Sequence, residues 1–144
     1  MKKYLLLLFV SLILASCSGK HEQQYDSYKS YQEAKLKDKS WFPSMLSSDA
    51  YNIKNVSSRD SSCAYGMFSY RKDSLYDSIF AVSSKNRIAY SIFNDKVEKH
   101  IRLKPGWFIN PPVYVYSGFE TIKIDRFYIV RDKQGKKVYF IYCN

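Results

Sequence analysis

The chain has 144 residues, which is one domain's worth and enough for a single hydrophobic core. Its 14 tyrosines and 9 phenylalanines argue against a disordered chain and favour β-strands with half-exposed rings. The formal net charge of +10 would indicate a nucleic-acid partner in a cytosolic protein, so the compartment decides how this charge is interpreted.

The first predicted element is a secretory signal peptide at residues 1–16. Lys2 and Lys3 precede an apolar stretch from Leu5 to Ala15, and a small residue follows it. This stretch is shorter than the roughly 20 residues that a transmembrane helix needs. A cleaved signal is therefore favoured over a retained transmembrane anchor.

The end of this segment resembles the lipobox of bacterial lipoproteins, because Leu14, Ala15 and Ser16 lead directly into Cys17. The resemblance implies that the Cys17 thiol receives a diacylglycerol, that the chain is cut in front of it and that the new amino group is acylated too. Two or more acyl chains anchor a protein stably without a spanning helix. The alternative is an ordinary cleaved signal without lipid.

The residue after the cysteine indicates the membrane. In lipoproteins of this kind an Asp there favours retention in the inner membrane, and this chain has Ser18. The resemblance therefore implies a lipid-anchored protein on the periplasmic face of the outer membrane, with the inner membrane as the less favoured location.

Export changes the meaning of the positive charge. Removing Lys2 and Lys3 from the 23 basic side chains leaves 21 against 13 acidic ones, a net charge of +8. In the envelope this charge points to anionic lipid headgroups, lipopolysaccharide or acidic wall polymers rather than to nucleic acid. The other interpretation is that the charge only keeps the surface solvated.

The mature chain begins with a polar stretch. Residues 17–27 are predicted to be a lipid-attached flexible tether, and residues 28–144 a single globular domain. Ser30 with Glu33 three residues later forms a capping box, which predicts a short helix from Tyr31 to about Lys37.

Two Trp–Phe pairs are candidates for binding. Trp41 and Phe42 precede Pro43 in a segment with no clean period, so their rings either form a binding lip or fill the core, the commoner location for such side chains. Trp107 and Phe108 belong to the predicted loop "PGWFINPP".

The segment from Trp41 to Phe68 resembles small uncharacterised lipoproteins of enterobacteria, some of which are encoded near polymorphic toxin genes. The matching positions are Trp41, Pro43, Leu46, Ala50, Ile53 and Phe68. Ser47 stands where a Pro is expected. The resemblance implies an immunity-type protein that neutralises a toxin in the envelope, and it assigns no catalytic residue.

The remaining elements are predicted from hydrophobic patterns. "YNIKNV" and "AYGMFSY" predict an antiparallel pair of strands, and Asp73 is predicted to cap the main helix, "SLYDSIFAV". Alternating apolar residues predict a strand from Ile88 to Phe93.

The last third of the chain is rich in β-branched and aromatic residues. "VYVYSG", "TIKIDRFYIVRD" and "KKVYFIYC" predict three further strands, with a bulge near Asp125 or Arg126 where the apolar parity shifts. The predicted fold is α+β: an antiparallel sheet of about five strands with one main packing helix and a short N-terminal helix.

The other two cysteines, Cys63 and Cys143, are expected to pair in an oxidising compartment, and the alternative is two separate thiols. A bridge between them would contribute about 4.5 kcal/mol to stability in the chain-entropy model.

The chain has two histidines, His21 and His100, and neither a metal-ligand spacing nor a phosphate-binding loop. We therefore predict no metal, no cofactor, no catalytic residue and no enzymatic activity.

Basic side chains interleave with tyrosines near the last hairpin. The candidate binding residues there are Arg126, Arg131, Lys136 and Lys137. They could bind a polyanion, or they could only protect strand edges from aggregation.

The predicted function is a lipid-anchored envelope protein with a small non-enzymatic binding domain, whose partner is an envelope protein or an anionic envelope component. The alternative is the immunity-type protein with a toxin partner.

Overall fold

The computed structural model describes residues 19–34, 41–60, 62–110 and 118–143. These residues form one antiparallel sheet of six strands and three α-helices, which confirms the predicted α+β class. No helix among them is both long and apolar enough to span a membrane. The predicted signal peptide and Cys17 lie outside the described residues.

The elements are numbered in chain order. The strands are β1 (Lys20–Ser27), β2 (Tyr51–Ser58), β3 (Cys63–Ser69), β4 (Phe119–Ile124), β5 (Phe127–Asp132) and β6 (Lys137–Cys143). The helices are α1 (Tyr28–Glu33), α2 (Asp73–Val82) and α3 (Tyr90–Lys99), with a 3₁₀ turn at Ser83–Asn86.

The spatial order of the strands is β1-β2-β3-β6-β5-β4, and every neighbouring pair is antiparallel. The last strand in the sequence, β6, therefore lies between β3 and β5 near the middle of the sheet. All 7 residues of β3 are buried, because helices and loops cover both faces of the sheet.

The first face of the sheet is covered by α1, α2 and residues 41–50. Tyr76 and Phe80 of α2 pack there against the core side chains of the sheet, among them Phe68 and Phe140. Trp41 and Phe42 are only 8% and 6% exposed. Both rings therefore fill the core, and the interpretation of this pair as a binding lip is wrong.

The second face is covered by α3 and the loop that follows it. Phe93 and Val97 of α3 and Phe108 of the loop pack on this side of the sheet. The Tyr65 hydroxyl donates a hydrogen bond to the Val97 carbonyl oxygen at 2.8 Å. Burial raises the pKa of Tyr65, and the nearby charge of Glu98 raises it further, so the hydroxyl keeps the proton that it donates.

β3 contains a glycine where a side chain has no room. Gly66 and Phe140 are cross-strand partners, and a Cβ at Gly66 would run into the Phe140 ring. The absence of a side chain at Gly66 therefore leaves room for the Phe140 ring over the neighbouring strand.

The predicted tether is wrong from Lys20 onward, because Lys20–Ser27 forms edge strand β1 and pairs with β2. Tyr25 and Ser27 are half-buried, while the residues between and before them are mostly exposed. A polar edge strand of this kind lacks the hydrophobic run by which central strands are recognised.

The N-terminal helix begins three residues earlier than predicted. Ser27 is its N-cap: its hydroxyl accepts from the Ser30 amide at 3.2 Å, and the Ser30 hydroxyl accepts from the Ser27 amide at 3.1 Å. The capping box is therefore Ser27 with Ser30 rather than Ser30 with Glu33. The end of the predicted helix, at Lys37, lies outside the described residues.

The predicted strand Ile88–Phe93 is wrong, because helix α3 begins at Tyr90. Phe93 and Val97 are one helical turn apart and are both buried, whereas Ile92 is 45% exposed. The helical spacing of the buried residues, rather than the short alternation before them, determines the structure.

Two smaller predictions also change. Asp73 is the first residue of α2 rather than its cap, and the cap residue Lys72 makes no side-chain capping bond. The parity shift at Asp125 reflects a two-residue turn rather than a bulge: Ile124 pairs with Phe127, and Asp125 has a φ of 51°. The predicted strand "VYVYSG" lies almost entirely outside the described residues.

Candidate functional site

Cys63 and Cys143 are direct cross-strand partners at one end of the sheet. Their Cα atoms are 4.3 Å apart, and their sulfur atoms lie at disulfide distance. The structure thus confirms that these two cysteines can pair. The link joins the first residue of β3 to the last residue of β6.

The same end of the sheet contains the start of the domain. Lys20, the first residue of β1, pairs with Ser58 at the end of β2. The Arg59 amide then donates a hydrogen bond to the Gly19 carbonyl oxygen at 3.1 Å. Gly19 is two residues from the predicted lipid attachment point, Cys17, which lies outside the described residues.

The C-terminal turn of α3 closes this end from the second face. A pocket of about 310 Å³ lies between it and the strands, lined by Ser58, Ser62, Cys63, Lys99, His100, Ile101, Arg102 and Leu103. Lys99 and Arg102 are exposed, and the apolar side chain of Ile101 is 47% exposed between them.

Four exposed basic residues therefore surround one end of the sheet, and we call them the basic end: Lys20, Arg59, Lys99 and Arg102. Among the described residues, none of these four side chains is in an ion pair. Asp60 lies in the same loop as Arg59, and hydrogen bonds from Ser58 and Ser62 hold its pKa below the usual range. The balance of charge at this end is positive.

The prediction that Arg131 is a binding residue is wrong, because its side chain is fully buried. Its Nε donates to the Tyr70 hydroxyl at 2.9 Å, and its Nη1 donates to Asp77 at 2.7 Å and to Glu120 at 3.2 Å. Arg131 therefore fastens α2 to the sheet and reaches no partner outside the molecule.

The other predicted basic residues are divided between the two ends of the sheet. Lys136 Nζ is 3.0 Å from Asp73 Oδ2, so this charge is already paired. Lys137 pairs across the sheet with Ser69 at the end far from Cys63. Arg126 is exposed in the β4–β5 turn, near the basic end, where its Nη1 donates to the Tyr142 hydroxyl at 3.3 Å.

The second aromatic pair is also largely structural. Phe108 is buried, with its ring 4.7 Å from that of Tyr65 in an edge-to-face contact. Trp107 is half-buried, and its Nε1 donates to Glu22 of β1 at 3.4 Å. Trp107 thus holds the loop after α3 against the edge strand.

A second concave surface lies between α2 and β4. It is a groove of about 450 Å³ lined by Ser44, Met45, Ser78, Ile79, Val82, Ser83 and Ile124. Val82 is 80% exposed there. We call this surface the apolar groove.

Beside the basic end lies a cluster that the sequence did not reveal. A ring nitrogen of His100 and the sulfur atoms of Cys63 and Cys143 all lie within 4.8 Å of one another. These residues come from the end of a helix and from two strands that are far apart in the sequence, so no spacing motif connects them. The expected pairing of Cys63 with Cys143 was the only signal in the sequence. His100 joins the cluster only because the fold places the end of α3 there.

The chain is similar to one known family over its first strands. A family model described as the YbbD head domain matches residues 20–69. The matched region begins with the first residue of β1 and ends with the last residue of β3, so it includes the edge strand that sequence patterns did not reveal. No curated protein and no solved structure matches the chain.

Proposed function

We propose that the protein is a lipid-anchored, non-enzymatic envelope protein whose domain contacts an anionic membrane surface through its basic end. The observation that carries this proposal is that the four basic residues lie at the end of the sheet where β1 begins, a few residues after the predicted lipid site in the sequence. Ser18 and Gly19 are the only residues between Cys17 and β1. Three chain steps span at most about 10 Å, so acyl chains on Cys17 would hold the basic end close to the headgroups.

The electrostatic contribution of such contacts is appreciable. A Lys or Arg near an anionic bilayer contributes about 1 kcal/mol, and this effect decays within a Debye length of about 8 Å at physiological ionic strength. Only residues close to the anchor benefit, which applies to Lys20, Arg59, Lys99 and Arg102. Exposed Ile101 adds apolar area beside the charges, a combination that favours binding at a membrane interface.

This orientation leaves the rest of the domain available for binding. The basic end would face the bilayer, while the opposite end of the sheet, with the turn between β5 and β6, would face the periplasm. A second envelope protein could then bind the presented surface. The acyl chains anchor the protein, and the basic contacts set the orientation of the domain on the membrane.

The proposal is tested by vesicle co-sedimentation of the mature chain with Cys17→Ser, which removes the lipid. We expect binding to phosphatidylglycerol vesicles at low salt, weaker binding at high salt, and little binding to phosphatidylcholine vesicles. The double variant Lys99→Glu, Arg102→Glu should bind at least thirtyfold more weakly, from about 1 kcal/mol for each lost contact.

The matched control is Lys29→Glu with Lys72→Glu, which makes the same change of charge at the opposite end of the sheet. These positions should leave binding within about twofold of the unchanged chain. Equal losses in the two double variants, or binding that does not change with salt, would contradict the proposal.

An immunity-type role is the second candidate. The residues that resemble envelope lipoproteins encoded near toxin genes, Trp41 to Phe68, lie within the region that matches the family model. If this role is correct, deletion of the gene should harm cells only when a neighbouring toxin gene is intact. Deletion phenotypes that are the same with and without the toxin gene would exclude it.

A further inference from the structure

The cluster of Cys63, Cys143 and His100 has the composition of a metal site. Its three ligand atoms lie within 4.8 Å of one another and belong to β3, β6 and the turn after α3. In a tetrahedral zinc site with Zn–S bonds of about 2.3 Å, two sulfur atoms are about 3.8 Å apart. The three ligand atoms are therefore no more than about 1 Å farther apart than the spacing that one zinc ion requires.

The ligand types select the class of ion. Two thiolates and an imidazole are soft or borderline ligands, which suit Zn²⁺ and do not suit Ca²⁺ or Mg²⁺, whose ligands are oxygen atoms. Two thiolates also neutralise the charge of a divalent ion, so binding leaves no net charge beside Lys99 and Arg102.

The surroundings give the site access and room. The pocket of about 310 Å³ includes Cys63 and His100 in its lining and is open to solvent, so an ion can reach the cluster without unfolding of the core. Zinc sites with three protein ligands complete their coordination with water or a bound group. The pocket has space for such a fourth ligand beside Ser58 and Ser62.

We propose that Cys63, Cys143 and His100 form a Zn²⁺ site in the reduced protein. A dithiol reductant gives two electrons and two protons to the Cys63–Cys143 disulfide, which produces two cysteine thiols and leaves the reductant as a disulfide. Zn²⁺ then displaces both thiol protons and forms two Zn–S bonds and one Zn–N bond. The oxidised chain has no thiolates and therefore does not bind the ion.

The test uses the mature chain with Cys17→Ser, so that Cys63 and Cys143 are its only thiols. The chain is reduced with dithiothreitol, freed of reductant and titrated with Co²⁺ as a spectroscopic probe. We expect one Co²⁺ per chain with a thiolate-to-cobalt charge-transfer band, and displacement of the cobalt by Zn²⁺. The oxidised chain should show neither. A reduced chain without the band, or an oxidised chain that binds equally, would overturn the proposal.

The role of His100 is tested separately, because loss of a cysteine could also disturb the sheet. His100→Ala should weaken Zn²⁺ binding by about a hundredfold, the share of one ligand among three or four. Its disulfide should still form, since the two cysteines are cross-strand partners without it. The matched control is His21→Ala in β1, the other histidine of the chain. Unchanged affinity in His100→Ala, or an equal loss in His21→Ala, would overturn the assignment.

Discussion

At the scale of single residues, Gly66 limits what the centre of the sheet accepts. Because a Cβ at this position would collide with the Phe140 ring, we expect Gly66→Ala to lower the free energy of unfolding by about 2–3 kcal/mol, as overpacked cores do. Urea denaturation measures the change. Gly106→Ala is the control, since no atom lies within 4 Å of a Cβ built there and it should cost well under 1 kcal/mol. Equal effects of the two substitutions would contradict this role of Gly66.

The buried side chain of Asn55 is expected to lower the free energy of unfolding. It is fully buried in β2, and among the described residues its carboxamide has no hydrogen-bond partner. A buried amide without a partner costs about 1–3 kcal/mol. We expect Asn55→Leu, which has nearly the same shape, to raise the free energy of unfolding by about 1–2 kcal/mol. A lower unfolding midpoint in urea would instead show that the amide is hydrogen-bonded in solution.

At the scale of elements, Arg131 holds α2, β4 and β5 together. Its guanidinium is fully buried against the Tyr70 hydroxyl, while its partners Asp77 and Glu120 keep contact with water. We expect Arg131→Met to lower the free energy of unfolding by about 2–3 kcal/mol. This is less than the loss expected when one partner of a wholly buried ion pair is removed, because water can hydrate the two carboxylates. Lys133→Met, which removes an exposed ion pair with Asp77, should cost about 0.5 kcal/mol or less. Similar costs in thermal or urea unfolding would refute this distinction.

The same cluster predicts how stability depends on pH. A hydrogen bond from Arg131 and another from Lys133 hold the pKa of Asp77 below its ordinary 3.8, and Lys136 lowers the pKa of Asp73. Because the pKa values are lower in the folded state, their stabilising effect is complete above the ordinary pKa and is lost as the pH falls through the folded values.

We therefore expect unfolding midpoints that are nearly constant between about pH 5 and 7 and fall below about pH 4. Arg131→Met should show a shallower fall, because Asp77 then loses the main cause of its lowered pKa. Parallel pH profiles for the two proteins would contradict this explanation.

At the scale of the whole molecule, hydrophobic patterns predicted the central strands because these strands are rich in apolar and aromatic residues, which the fold buries on both faces of the sheet. They failed at β1, a polar edge strand, and at α3, where three alternating residues precede the buried turn of Phe93 and Val97. Arg131 could have been recognised as inward-facing, since it shares strand parity with Ile129 in β5. The charge network that makes its burial tolerable comes from distant elements.

In the candidate site too, the features that a local sequence pattern carries were predicted, and those that depend on contacts between distant elements were not. The sequence indicated Cys17 by a local motif, and the paired Cys63 and Cys143 by elimination. The basic end was not predictable, because Lys20, Arg59 and the last turn of α3 meet only after the sheet has formed. Its existence depends on the register that places the starts of β1 and β3 at the same end.

The central claim is that lipid on Cys17 and the basic end act together to orient the domain. Hydrogen exchange of the lipidated protein on phosphatidylglycerol vesicles, compared with phosphatidylcholine vesicles, tests it most directly. We expect the anionic vesicles to protect amides in residues 99–104 at the basic end and to leave those in residues 133–136, at the opposite end, unchanged. Equal protection at the two ends, or protection only at 133–136, would contradict the claim.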